Sequence, residues 1–457
     1  PGITHILRGL LALTKRAGLL FLLSAAATAA ASDILPMRER AAVIDRLIAT
    51  RVQTVLPGLM RRSDIDMWVV ISREYNEDPV IRTFLPATWH AARRTTILLM
   101  FDRGDGEALE TLAVSRYDVG DTFKKAWDQE QDGDQWQHLG KLIAERQPNR
   151  IGLNYSGTFA LADGISHTEY ERLMSVLTPE LQSRVVSAEN LAVGWLETRS
   201  ADEMQVYPHI CRIAHEILAE GLSEVVITPG VTTTNDVAWW YRERIRELKL
   251  DTWFHPSVSV QRYDQPQIDM KTSIASRHDD DVILPGDLLH VDFGITYLRL
   301  NTDTQQHAYV LKPGETDAPA GLKRALARGN RLQDILTGNF ATGRSGNDIL
   351  AASLAQAAKE NIVASIYTHP IGYHGHAAGP TIGMWDQQQG VPGGGDYPMY
   401  PDTAYSIELY AETEIAEWGK SVRIKLEEDA FFDGEKTWYI DGRQTSFHLI
   451  PRAPATQ

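Results

Sequence analysis

Pro285-Gly-Asp-Leu-Leu-His-Val-Asp-Phe-Gly294, followed by Asn301-Thr-Asp303, is the stretch on which the fold turns. Its apolar residues read as a strand with Asp292 near the end, and Asn301-Thr-Asp303 opens a return strand in which the second acid comes 11 residues after the first. Neighbouring antiparallel strands can set two such carboxylates close together. An acid pair near a hairpin is more often simply solvated, so the pair needs further partners before it implies a site.

The surroundings form a doubled pattern. Ser200-Ala-Asp-Glu203 has capping-box spacing. Val206, Ile210, Ile213, Ile217 and Leu218 follow at helical intervals. Thr234 or Asn235 is expected to cap a second helix carrying Val237, Trp240, Tyr241, Ile245 and Leu248. The strand-like stretch 288–311 comes next. A third helix, with Leu322, Ala325, Leu326, Leu332 and Leu336, and a fourth starting at Ser345 lead into strand-like residues 404–432. Two helices then strands, stated twice, predict an α+β fold with a pseudo-twofold repeat around an antiparallel sheet.

Further donors lie in the second half of that pattern. They are His369-Pro-Ile-Gly372, His374-Gly-His376, Glu408 within Tyr405-Ser-Ile-Glu-Leu-Tyr410, and Glu427 within Ile424-Lys-Leu-Glu-Glu-Asp429. Both glutamates interrupt apolar, strand-forming runs. A carboxylate buried there needs a partner, because its ionised form is costly alone; a surface-facing strand position is the bland alternative.

Residues 36–196 alternate helical and extended segments, with strands expected near 67–71, 96–101, 108–114 and 150–154, and helices near 38–53 and 168–177. This predicts an N-terminal α/β domain. Residues 1–31 carry Arg8, Lys15 and Arg16, the apolar run Ala17 to Ala27 and a small-residue tract, the plan of a secretory signal peptide. The apolar run is too short for a bilayer, which needs about 20 residues. The expectation is therefore a secreted or periplasmic protein with no stable membrane span once the signal is removed. Cys211 is the single cysteine, which excludes an internal disulfide, and its helical register suggests a small core residue.

The whole chain has 457 residues, 43% hydrophobic and 23% charged, a globular composition that excludes a disordered chain. A formal charge of −15 argues against a nucleic-acid partner, which calls for a basic face.

The ordered series Asp292, Asp303, His369, Glu408 and Glu427, with its flanking residues, resembles the five-ligand dinuclear site of the pita-bread metallopeptidases. That superfamily includes creatinase, methionine aminopeptidase, aminopeptidase P and prolidase. The resemblance covers residues 199–450. The preceding domain and the junction Glu197-Thr-Arg-Ser-Ala-Asp-Glu203 are similar to the two-domain aminopeptidase P and prolidase branch, which also carries a second, substrate-contacting histidine at the interval between His369 and His376.

The resemblance implies two divalent ions, manganese, cobalt, zinc or iron, which suit a hard donor set of four carboxylates and one imidazole. Asp303 and Glu427 would bridge them, Asp292 would hold one, and His369 with Glu408 the other. A bridging water made acidic enough to exist as hydroxide would then attack the bond before proline in a peptide. Glu408 is the candidate for moving the proton from that water to the leaving amine. His376 would hydrogen-bond the substrate carbonyl or the oxyanion, and His278 is a further substrate-facing candidate whose spacing differs from the family's. His290 and His374 are expected to be packing or supporting groups. A homodimer is expected by analogy.

Several positions depart from the family. Thr304-Gln-Gln-His307 stands where a Thr-Arg pair is common, Leu409-Tyr410 replaces Pro-Gly after Glu408, and residues 390–402, with Gly393-Gly-Gly395, look like an insertion. All lie beside ligand positions. Three readings stay open: an Xaa-Pro peptidase, a pita-bread enzyme acting on a small molecule by lyase or C–N hydrolase chemistry, and a noncatalytic binding module.

Overall fold

A computed structural model describes residues 34–104, 106–267 and 280–452. The segment 1–31 read as a secretory signal lies outside the described residues. Among those residues no helix is long and apolar enough to cross a membrane.

The first part is built on one six-stranded mixed sheet. Its order is Lys124–Lys125, Glu110–Ala113, Thr95–Phe101, Met67–Arg73, Ile151–Leu153, Val185–Ser187. Side chains alternate across a strand, and the central strand shows it. Met67, Val69 and Ile71 join one apolar cluster with the helices Gln135–Arg146 and His167–Val176, while Trp68 and Val70 join another with Leu56–Arg62 and Glu189–Glu197. Burial on both faces explains why Met-Trp-Val-Val-Ile is apolar without alternation.

Ser200 caps the helix Ala201–Gly221 through the reciprocal bonds its spacing predicts, and Cys211 is buried on it. The next helix, Thr234–Glu247, is capped one residue earlier than expected. Thr233 accepts the Asp236 N–H at 3.1 Å and donates its own to the Asp236 carboxylate at 2.9 Å. Thr234 is instead engaged elsewhere, its hydroxyl accepting the Asp281 N–H at 3.2 Å.

The doubled pattern is present in space. Helices Ala201–Gly221 and Thr234–Glu247 pack on the strands Ser257–Gln261, Leu288–Phe293 and Thr304–Val310. Helices Ala320–Gly338 and Gly346–Lys359 pack on Val363–Ile366, Leu409–Ile415 and Lys420–Leu426. The strands divide into separately bonded sheets: His448–Ile450 joins Thr304–Val310 in parallel, and a third sheet holds His369–Pro370, Thr403–Ser406, Asp429–Phe432 and Thr437–Tyr439. An antiparallel bridge between Gln305 and Glu427 ties the halves together.

Residues 390–402 are pinned rather than loose. Asn347 accepts the Val391 N–H at 2.7 Å and donates to Asp396 at 2.8 Å, and Met399 is fully buried.

Candidate metal centre

Each donor residue sits where a strand ends or changes sheet. Asp292 is the penultimate residue of Leu288–Phe293, in register with Gln305 on one side and Ser257 on the other. Asp303 immediately precedes Thr304–Val310. Between them, a Cβ on Gly294 would meet the Thr302 carbonyl at 2.3 Å, so only glycine lets the chain return this closely. His369 opens the short strand paired with Ser406.

Glu408 and Glu427 mark the sheet switch. Tyr405 and Ser406 pair with Ala430 and Asp429 in one sheet, whereas Leu409 and Tyr410 pair with Leu426 and Lys425 in another. The residues between leave the ladders there, so these two acids point away from both regular sheets toward the other donors. That is why each interrupts an apolar run.

The five residues, joined by His376, meet as overlapping triads. Asp292, Asp303 and Glu427 form one, His369, Glu408 and Glu427 a second, and Asp303, His369 and His376 a third; within each, the donor atoms lie within 4.8 Å of one another. His369 Nε2 is 3.4 Å from Glu427 Oε1 and 3.6 Å from Asp303 Oδ2. His369 Nδ1 is 2.9 Å from the Pro370 carbonyl, which can only accept. Nδ1 therefore keeps its proton in either charge state, and Nε2 is the nitrogen that faces the acids and is free to bind a cation once it loses its own.

Asp292 Oδ1, Asp303 Oδ1 and His369 Nε2 are buried and make no hydrogen bond. Native interiors rarely leave such atoms unmatched, and here all three belong to the overlapping triads. A divalent cation supplies what they lack, so the residues fit metal. Crowding has the electrostatic effect expected of it. Burial and then Glu427 push the Asp292 carboxyl up to about 8. Burial and the same neighbour hold Asp303 and Glu408 well above the carboxylate range. For His369 burial opposes the charge, but Glu427 and Glu408 prevail and keep it at about 8.

His376 is exposed at the mouth of this cluster, with its ring 4.8 Å from that of His369, 5.0 Å from Trp253 and 6.1 Å from Tyr367. Burial, and then the charge of His369, lower it to about 4, so the ring is neutral at physiological pH. The turn carrying it also needs glycine: a Cβ on Gly375 would lie 2.2 Å from the Trp253 ring. His278 lies outside the described residues. His290 is buried and His374 half-buried, as packing groups would be.

Sequence reasoning did not single out Gln305 as a functional group. Its Nε2 donates to Glu408 Oε1 at 2.8 Å and to Glu427 Oε2 at 2.6 Å, while its Oε1 is 2.7 Å from His290 Nε2. The available signal was the departure from the family's Thr-Arg pair. Behind the site, Ser406 Oγ donates to Glu427 Oε1 at 2.8 Å, and Asp429 accepts the Asp303 N–H at 3.3 Å.

Residues 209–428 match the model of metallopeptidase family M24. Solved structures share the fold at low identity. An X-Pro aminopeptidase from Thermotoga maritima MSB8 is 17% identical with a TM-score of 0.58, over 86% of this chain and 99% of that one. An Xaa-Pro dipeptidase from Bacillus anthracis is 14% identical with a TM-score of 0.55, over 91% and 100%. The His350Ala form of Escherichia coli aminopeptidase P is 10% identical with a TM-score of 0.55, over 90% and 97%. No curated protein matches the chain.

Proposed function

Because the chain carries a metallopeptidase family M24 domain in a pita-bread fold, we propose that it is an exported, metal-dependent aminopeptidase that hydrolyses the bond before proline in peptides. The observation that carries the reading is the overlap of the triads Asp292, Asp303, Glu427 and His369, Glu408, Glu427, within which Asp292 Oδ1, Asp303 Oδ1 and His369 Nε2 are buried without hydrogen-bond partners.

In this reading Asp292, Asp303, His369, Glu408 and Glu427 would together hold two divalent ions, manganese, cobalt, zinc or iron. Bound there, such ions supply positive charge that acidifies water and polarises a scissile carbonyl. Glu408, half-buried at the sheet switch, accepts the proton of the attacking water and returns it to the leaving amine. His376, exposed beside Asp303 and His369, hydrogen-bonds the substrate carbonyl as it becomes an oxyanion. Trp253, whose Nε1 is tied to the Thr302 carbonyl at 3.0 Å, fixes the plane against which the His376 ring rests. Secretion, through residues 1–31, and a homodimeric state belong to the same proposal.

The test compares Mn²⁺-loaded protein with its Glu427→Ala variant on Xaa-Pro dipeptides, Xaa-Pro-Xaa tripeptides and matched peptides lacking proline. Metal-dependent release of the first residue, confined to the proline peptides and lost in the variant, is expected. Metal binding with no proline-directed cleavage would contradict the peptidase reading and favour a pita-bread enzyme of another chemistry. Neither binding nor cleavage would favour a noncatalytic module.

A further inference from the structure

Gln305 is buried, and its place is fixed from two sides. Its backbone N–H donates to the Glu427 carbonyl at 2.9 Å, and the Glu427 N–H donates back at 3.2 Å. Its side chain then returns to the same glutamate and to Glu408. The orientation of the carboxamide follows from its partners. The amide nitrogen gives one hydrogen to an oxygen of each glutamate. The amide oxygen is left to face His290 Nε2 at 2.7 Å. His290 Nδ1 in turn is 3.4 Å from Ser259 Oγ. A chain of side-chain contacts thus ends on one oxygen of each of two acidic metal-ligand candidates.

We propose that Gln305 is a positioning residue that substitutes, in the metal-free protein, for part of the positive charge supplied by metal: its amide hydrogens hold Glu408 and Glu427 apart at ligand geometry and relieve their repulsion. The inference rests on the five-residue metal reading but not on the choice of peptide substrate. The physical argument is linkage. A group that stabilises the unloaded state more than the loaded one weakens apparent metal affinity while keeping the fold intact without metal. Gln305 Nε2 engages Glu427 Oε2, whereas His369 approaches Glu427 Oε1. The oxygen that Gln305 occupies is therefore the one on the side away from His369, and an ion arriving there must share it with an N–H.

The experiment measures melting temperature and Mn²⁺ affinity for the wild type and for Gln305→Met, which keeps the length of the side chain and removes both donors. Chelator-treated Gln305→Met is expected to melt well below chelator-treated wild type. The loaded forms should differ much less, and the variant's Mn²⁺ dissociation constant should tighten about tenfold, the scale of one lost hydrogen bond to a charged group. A merely structural role moves both melting temperatures alike and weakens binding, which would overturn the proposal, as would an unchanged dissociation constant. Gln305→Glu provides a second route if the Met variant does not fold. A third carboxylate in the same place should also lower the metal-free melting temperature and tighten Mn²⁺, and the opposite shift would contradict the account. Wild type that binds no Mn²⁺ would overturn the metal reading and this proposal together, whereas wild type that binds while both variants leave affinity unchanged overturns this proposal alone.

Discussion

Glu408 and Glu427 face each other across the point where two paired strands leave one sheet and enter the next. On one side of them Ser406 pairs with Asp429, on the other Leu409 pairs with Leu426, and between them the Ile407 N–H donates to the Glu428 carbonyl at 2.9 Å. The pairing is continuous enough to fix both backbones, yet both side chains are released from the pleat. A paired acid site can therefore be built inside an otherwise apolar ladder without a loop.

Replacing Glu427 by Ala removes a donor common to two of the triads. Mn²⁺ affinity should fall by about 100-fold or more, beyond the range typical of losing a mere supporting partner of a ligand. Titration calorimetry on the folded variant checks this, and unaltered binding would remove Glu427 from the ligand set.

His376→Gln should behave differently. Its neighbours among the donors are Asp303 and His369 alone, and in this account it serves the substrate rather than the ions, so metal content should stay at the wild-type level. On an Xaa-Pro peptide, kcat should fall about 100-fold, the scale of one lost oxyanion donor. A parallel loss of metal would make His376 a ligand rather than a substrate contact.

The junction between the two parts depends on Arg51. Its guanidinium is fully buried, donates to Glu203 Oε2 at 2.6 Å and lies 5.2 Å from the Tyr373 ring, within the turn between His369 and His376. Glu203 keeps Arg199 at 3.0 Å when Arg51 is lost, so Arg51→Met should destabilise by about 3 kcal/mol, the lower end for breaking a buried pair. Urea unfolding reads the change. A cost near zero would mean that burial of the charges cancels their attraction.

His215 supplies a pH signature of its own, through Glu428 rather than the ligand candidates themselves. Its Nε2 is 2.7 Å from Glu428 and its Nδ1 2.8 Å from Asp441. Burial disfavours the charge, but the two carboxylates win and raise the ring from 6.5 to about 10. Its stabilising contribution is therefore complete below 6.5 and is lost as pH rises through about 10. The deficit of His215→Gln relative to wild type should shrink steadily over that window. A deficit independent of pH would show that His215 is neutral in the folded protein.

The parts of this fold written in local pattern were legible from sequence. Both helix pairs follow from their apolar period and from Ser200 and Ser345, and the donor residues were visible because acids and histidines interrupt strand-forming runs. What escaped depends on partners distant in the chain. Gln305 looks like any polar strand residue until Glu408 and Glu427, more than a hundred positions away, are placed beside it. The cap at Thr233 was missed by one residue because Thr234 offers the same chemistry locally and is claimed by Asp281 only in the fold. The split of the strands into several sheets is likewise invisible in a sequence that stays apolar through the switch.

Crystals equilibrated with Mn²⁺ and measured at the manganese absorption edge test the central claim most directly. The account predicts two anomalous peaks, each within bonding distance of Asp303 and Glu427, one also reached by Asp292 and the other by His369 and Glu408. A map with no peak among these residues, or with manganese bound only elsewhere, would contradict it.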